Sequence, residues 1–365
     1  MKFWGGGEKL HIDTALELRK KNRHVFILCT PNSPLWKRAF YEGIPTFPIT
    51  VGNLSFLNPF LVCSLLIFFK KHKIDTILFS SSQDCKLGSL VAKLAGIENI
   101  VYLRGLATPI KNSMLNRIIF QSFLTHIIAN SNETKNQILT KLSKYIAKDK
   151  IKTIYHGIDI KKSIVKGEQC ILEEISQKGH GVILGNASRL IDQKGLEFLI
   201  PIAKILKKKN LDFTLFIAGT GELHSKLQLS IKENNLEKDV ILLGFVEDME
   251  CFMNSIDIFL FPSLSEGFGY VTVEAMIKSN PVVAFRISCN PELIENDKTG
   301  FLIEYPDIEA FAEKIELLIK DRDLRNRMGL AGKKTVHEKF ALEDKVAEIA
   351  TFIEETPTKT KSLLK

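Results

Sequence analysis

Apolar runs of five to seven residues alternate along the chain with longer stretches in which apolar positions recur every three or four residues. The runs at 24–30, 75–80, 99–103, 126–130 and 151–155 predict strands in the front half. Those at 181–187, 212–218, 239–243, 256–261 and 281–285 predict strands in the back half. Helical periodicity fills the intervals, most regularly at 11–21, 308–320, 324–333 and 342–355. Strands that alternate with helices imply parallel, doubly wound α/β sheets. At 365 residues the chain exceeds what one core usually serves, so two domains are expected, at 1–160 and 181–340. The polar stretch 161–180 reads as a linker, 341–355 as a closing helix, and the lysine-rich 356–365 as a disordered tail.

One segment strains the pattern. Residues 54–69 are almost continuously apolar, but they are interrupted by Asn58-Pro59, stop at Lys70-Lys71, and are too short to span a bilayer comfortably. They predict a helix packed on the first sheet, with a membrane-dipping element as the competing reading.

Chemistry concentrates where predicted strands end. After 256–261 comes Pro262-Ser263, then Glu266-Gly267-Phe268-Gly269-Tyr270, with Glu274 eight positions beyond Glu266 inside a helical pattern. Glycines let a backbone approach a ligand, and a helix start offers N–H groups to an anion. Carboxylates beside such a site can accept hydrogen bonds from hydroxyls, so the loop suits a ligand that is part phosphate and part polyol. Taken alone, this spacing fits equally a helix cap and a solvated acid. After 181–187 comes Ser188-Arg189-Leu190 with Lys194-Gly195, whose cations could neutralise a diphosphate or simply face water.

Together with Ala218-Gly219-Thr220-Gly221, Leu243-Gly244-Phe245-Val246, Phe261-Pro262-Ser263, Glu274-Ala275 and Thr299-Gly300-Phe301, these segments occur in the order seen in one family. The chain resembles the retaining glycosyltransferases of family 4, the glycogen-synthase-like group, most closely over 181–303. The resemblance implies a GT-B fold, in which two Rossmann-like domains face each other across a cleft and the closing helix returns to the first. It implies a nucleoside-diphosphate sugar as donor, a glycan or lipid-linked acceptor, cell-envelope polysaccharide such as lipopolysaccharide or capsule as product, and neither cofactor nor metal. Arg189 and Lys194 would hold the diphosphate, Glu266 the transferred sugar, and Glu274 the ribose. Residues Gly267, Phe268, Gly269 and Tyr270 would approach phosphate and sugar, while Gly219, Phe245 and Val246 would lie near the nucleotide. On the acceptor side the candidates are Gly6, Gly7 and Glu8, in a glycine loop after a first strand reduced to residues 1–4, and Arg104. Two departures from the family pattern stand out: no His occurs near Arg104-Gly105, and Thr220 replaces the usual acid of its turn.

Charge is uneven. Residues 1–167 hold 25 Lys and Arg against 10 Asp and Glu, and residues 168–365 hold 25 against 32. The basic front half points to an anionic partner, and with the resemblance to a lipid-borne acceptor or an anionic membrane surface rather than nucleic acid. The six cysteines lack Cys-x-x-Cys spacing, residues 1–7 lack the apolar core of a secretory signal, and a cytoplasmic protein with reduced thiols is expected. Asp321-Arg322-Asp323 has a metal-like spacing but a helix-cap composition, and Gly219-Thr220-Gly221 lacks the third glycine of a dinucleotide fingerprint. A nucleotide-sugar epimerase of the same fold and a donor-binding protein without turnover remain the alternatives.

Overall fold

The computed structural model describes residues 6–160 and 181–355. The chain divides into two compact units, Met1–Gly157 with Leu342–Lys365, and Ile158–Ala341. The linker and tail expectations lie outside the described residues, as does the short strand at residues 1–4.

In the first unit, β1 (Ile27–Cys29) pairs with β2 (Thr46–Pro48), and a separate parallel sheet runs in the order β3 (Thr76–Phe79), β4 (Asn99–Arg104), β5 (His126–Ala129), β6 (Ile151–Thr153). Serine hydroxyls start several helices here: Ser33 accepts from Trp36 N–H, Ser81 from Asp84 N–H and Ser131 from Thr134 N–H. Gly6 and Gly7 are helical rather than in the expected loop, and Gly5 lies outside the described residues. The first helix begins at Gly6 and runs to Lys20, burying Leu10 against Val101, Leu103, Ile128 and Ile154. The closing helix Leu342–Glu355 adds Ile349 and Phe352 to the same cluster, so it belongs to this unit although it follows the other in sequence.

The second unit holds one six-stranded parallel sheet: β7 (Val182–Ala187), β8 (Phe213–Ala218), β9 (Val240–Gly244), β10 (Ile258–Phe261), β11 (Val282–Phe285) and β12 (Gly300–Ile303). Its order is β12-β11-β10-β7-β8-β9. β10, β11 and β12 are buried at every residue, as strands covered by helices on both faces must be. The chain winds outward from β7 through β8 to β9, then returns to lay β10 along the other side of β7. That reversal is a topological switch point, and all loops leaving the carboxyl ends lie on its edge of the sheet.

Two expectations need correction. Cys251 is disulfide-bonded, not a reduced thiol, while Cys29, Cys63, Cys85 and Cys289 are free. The helix expected over 54–69 packs on the first unit's core but has other bounds: a turn at Ser55–Leu57 precedes the helix Pro59–Lys71, which buries Leu65, Phe68 and Phe69 and leaves Phe60 and Ile67 exposed. Asp321 caps the helix Arg322–Lys339 by accepting from Leu324 N–H at 2.8 Å, as its composition predicts.

Phe285 is fully buried, edge-to-face with Phe198, Tyr305 and Phe311. Phe285→Ala should destabilise the second unit by about 3–5 kcal/mol, read as a lowered midpoint in chemical denaturation.

Candidate active site

The two central strands of the second sheet deliver the candidate residues to one place. From β7 the chain passes through Ser188-Arg189-Leu190 into a tight turn, Asp192–Lys194, closed by Gly195 at φ +61°. From β10 it passes through Pro262-Ser263 to Glu266. A Cβ on Gly195 would lie 2.2 Å from the Pro262 carbonyl oxygen, so only glycine lets the two loops meet this closely. Gln193 fastens them, its side-chain amide donating to the Ser265 carbonyl at 2.6 Å while its own carbonyl accepts from Leu264 N–H at 3.0 Å.

This apposition brings Lys194 against Glu266. Lys194 Nζ donates to Glu266 Oε1, and both side chains are largely shielded, 14% and 12% exposed. The same carboxylate oxygen accepts from Ser263 Oγ at 2.7 Å. Ser288, in the loop after β11, holds the Glu266 backbone at both polar groups: its Oγ accepts from Glu266 N–H at 3.0 Å and donates to the Glu266 carbonyl at 2.8 Å. Ser288 adopts φ +54°, uncommon for a residue with a side chain, and this pair of hydrogen bonds accounts for it. Next to it Cys289 is buried. Burial, then the Glu266 and Glu292 carboxylates, push its thiol well above the ordinary range, so it stays protonated and unreactive.

Gly269, at φ +75°, begins the helix Tyr270–Ile277 without a side chain to cap it. Phe268 is buried edge-to-face on Phe340, which anchors the glycine loop. Glu274 is partly buried within this helix, and Arg189 is exposed on its loop. Gly219, at φ +136°, lies directly beneath Ser188: a Cβ there would be 1.8 Å from the Ser188 carbonyl oxygen. Leu190 N–H donates to the Thr220 carbonyl at 2.9 Å, so the glycine turn after β8 braces the arginine loop. Phe245, 71% exposed, and Val246 follow β9 at the edge of the sheet. Ser288 is absent from any sequence-based expectation, because its partner is 22 residues away and only sheet topology joins them. Ser263 carried a signal in its place directly after a strand-ending proline.

The acceptor-side candidates belong to the first unit. Gly6, Gly7 and Glu8 form the first turn of a helix, with Glu8 buried. Arg104 is also buried, and its guanidinium donates to the Leu106 carbonyl at 3.1 Å, to Tyr102 Oη at 3.2 Å and to Thr108 Oγ1 at 2.8 Å. Its position shapes the loop after β4 rather than presenting a cation. At the same edge His11 Nε2 lies 2.6 Å from Ser80 Oγ, and burial lowers its pKa, opposed by Asp84. Burial, and then His11, hold His156 down to about 3. Because the folded value lies below the unfolded 6.5, the unfolded chain binds the proton first, and stability present above pH 6.5 is lost as pH falls toward 3. His156→Gln should flatten the loss of denaturation free energy across that window relative to the wild type.

Comparison with known proteins bears on the family and the fold. The family described as Glycosyltransferase Family 4 matches residues 4–162, and Glycosyl transferases group 1 matches residues 172–335. A capsular polysaccharide biosynthesis glycosyltransferase of Staphylococcus aureus is 28% identical over 342 residues, covering 89% of this chain and 88% of that protein. The Escherichia coli UDP-Gal:alpha-D-GlcNAc-diphosphoundecaprenol alpha-1,3-galactosyltransferase is 27% identical over 345 residues, covering 89% and 87%. Among solved structures, a Rickettsia africae glycosyltransferase superposes with a TM-score of 0.84 at 23% identity, covering 96% and 95% of the two chains. Anabaena HepE, solved with UDP, superposes with a TM-score of 0.82 at 22% identity, covering 96% of each. With both family matches in tandem and the same fold over nearly its whole length, the chain belongs to the family 4 glycosyltransferases of the GT-B fold.

Proposed function

We propose that this glycosyltransferase moves a sugar, with retained anomeric configuration, from a nucleoside-diphosphate donor to a glycan or lipid-linked acceptor in cell-envelope polysaccharide synthesis. The observation that carries the reading is the shielded Lys194–Glu266 pair, fixed by Ser263 and Ser288 at the switch point of the second sheet. A cation and a carboxylate held side by side suit a ligand with an anion at one end and hydroxyls at the other.

As the glycosidic bond breaks, negative charge develops on the departing diphosphate. Lys194, with two further N–H donors beyond the one on Glu266, and Arg189 would stabilise it, together with backbone amides near Gly267 and Gly269. Glu266 would accept from sugar hydroxyls and Glu274 from the ribose, while Phe245 and Val246 flank the base. In the same-face displacement usually drawn for retention, a leaving phosphate oxygen takes the acceptor's proton, so no side chain is assigned as base. The chain's own cations meet the charge in this reading, and turnover should survive chelation of divalent metals. The S. aureus relative, named for capsular polysaccharide biosynthesis, supports the envelope reading, and the E. coli relative, named for a diphosphoundecaprenol substrate, supports a lipid-borne acceptor.

Arg189→Ala and Lys194→Ala should each lower kcat by about a hundred- to a thousand-fold, corresponding to about 3–4 kcal/mol of lost transition-state stabilisation. Transfer within a few-fold of wild type in either variant would refute the diphosphate assignment. Calorimetry with uridine, guanosine and adenosine diphosphate sugars identifies the donor, and incubation with donor alone separates transfer from epimerisation.

A further inference from the structure

The helix Pro59–Lys71 displays an apolar face in two directions. One side, Leu65, Phe68 and Phe69, is buried in the first unit's core, where Phe68 meets Phe26 and Phe47 edge-on or tilted. The other side is exposed yet not polar. Phe60 is 86% and Ile67 66% exposed, seven residues apart and so on one stripe, with exposed Cys63 and Ser64 between them. In the segment that leads in, Leu54 and Leu57 are exposed as well, 69% and 67%. These side chains are not displayed by fraying: Asn58 accepts from Phe60 N–H at 3.1 Å and Leu61 N–H at 3.3 Å, Pro59 fixes the first turn, and the buried face pins the rest.

Residues 53–69 contain no ionisable carboxylate or amine, and Lys70, Lys71 and Lys73 follow at once. A solvated helix face ordinarily carries charge, so a charge-free stripe bordered by lysines is shaped for an interface between apolar and anionic surroundings. No helix among the described residues is long and apolar enough to cross a membrane, so the stripe would lie on a bilayer rather than span it. The occupant follows from charge. The first unit, residues 1–157 with 342–365, carries 26 Lys and Arg against 14 Asp and Glu, which repels a second copy of this unit and attracts an anionic surface.

We infer that Leu54, Leu57, Phe60 and Ile67, with Lys70, Lys71 and Lys73, form a docking surface for an anionic lipid bilayer. The apolar side chains enter the acyl boundary, while the lysines meet lipid phosphates. The inference is independent of the donor assignment, because membrane binding is read without substrate or turnover.

The test is co-sedimentation of the full chain with vesicles of mixed phosphatidylglycerol and phosphatidylcholine, against pure phosphatidylcholine. Binding should require the anionic lipid and weaken as salt rises. Leu57→Ser, Phe60→Ser and Ile67→Ser combined should weaken partitioning at least tenfold with an unchanged melting curve, because all three side chains are exposed. Lys70→Glu with Lys71→Glu should do the same through charge alone. An environment-sensitive dye on exposed Cys63 should shift to the blue on anionic vesicles and lose the shift in Cys63→Ser. Absence of binding to anionic vesicles, or binding indifferent to both sets of substitutions, would overturn the inference. So would a wild-type dimer that the triple substitution dissociates, since a second copy would then be the occupant.

Discussion

Every strand of the second sheet runs in the same direction, so every loop leaving a carboxyl end collects along one edge. The chain's reversal at β7 and β10 parts two of these loops from the sheet axis and sets them against each other. Lys194 and Glu266 come together there as a consequence, although 72 residues separate them. A shielded ion pair is a weak source of stability, since desolvation offsets much of the attraction. The pair is a largely shielded cation and carboxylate in an orientation fixed by Ser263 and Ser288. Under the proposed function, a donor entering there would meet charges that need little reorganisation.

Glycine is what permits the edge to be so crowded. At Gly195 and Gly219 a side chain would have to occupy the space of a carbonyl oxygen from the neighbouring loop, and both positions have positive φ. The loops therefore stack backbone on backbone. That leaves peptide groups, rather than flexible side chains, to form the floor beneath Arg189 and Lys194, and peptide dipoles held in place are effective toward a developing charge.

The back half of the fold is legible because its strands are buried on both faces and read as plain apolar runs. Those predicted at 181–187, 212–218, 239–243, 256–261 and 281–285 each differ from β7 to β11 by only one or two residues at an end. β12 was visible only as the motif Thr299-Gly300-Phe301, because its four residues follow a turn with little periodicity of their own. The front half is harder to read. β1 and β2 are three residues each and partly exposed, so β2 left no signal. Three glycines argue for a loop by propensity, yet Gly6 and Gly7 are helical, in a helix that buries Leu10, Ile12 and Ala15. In the candidate site the charged residues and glycines were readable from motif and strand position. Ser288 was not, since nothing local in Arg286-Ile287-Ser288 announces a contact with Glu266.

The carboxyl edges of the two sheets differ in kind. The second presents ionised groups, Lys194 and Glu266, with exposed Arg189 beside them. The first presents polar groups kept neutral by burial: His11 and His156 with lowered pKa values, and Tyr102 with a raised one. Its one buried guanidinium, Arg104, spends its donors on the loop after β4, including Tyr102 Oη. Neutral imidazoles and hydroxyls can each both donate and accept, which matches the hydroxyls of a sugar, whereas an ionised cluster matches a phosphate. The division follows from how each edge is desolvated. At His11 burial outweighs the opposing carboxylate of Asp84, and at His156 burial acts together with His11, so both imidazoles are pushed toward the neutral form.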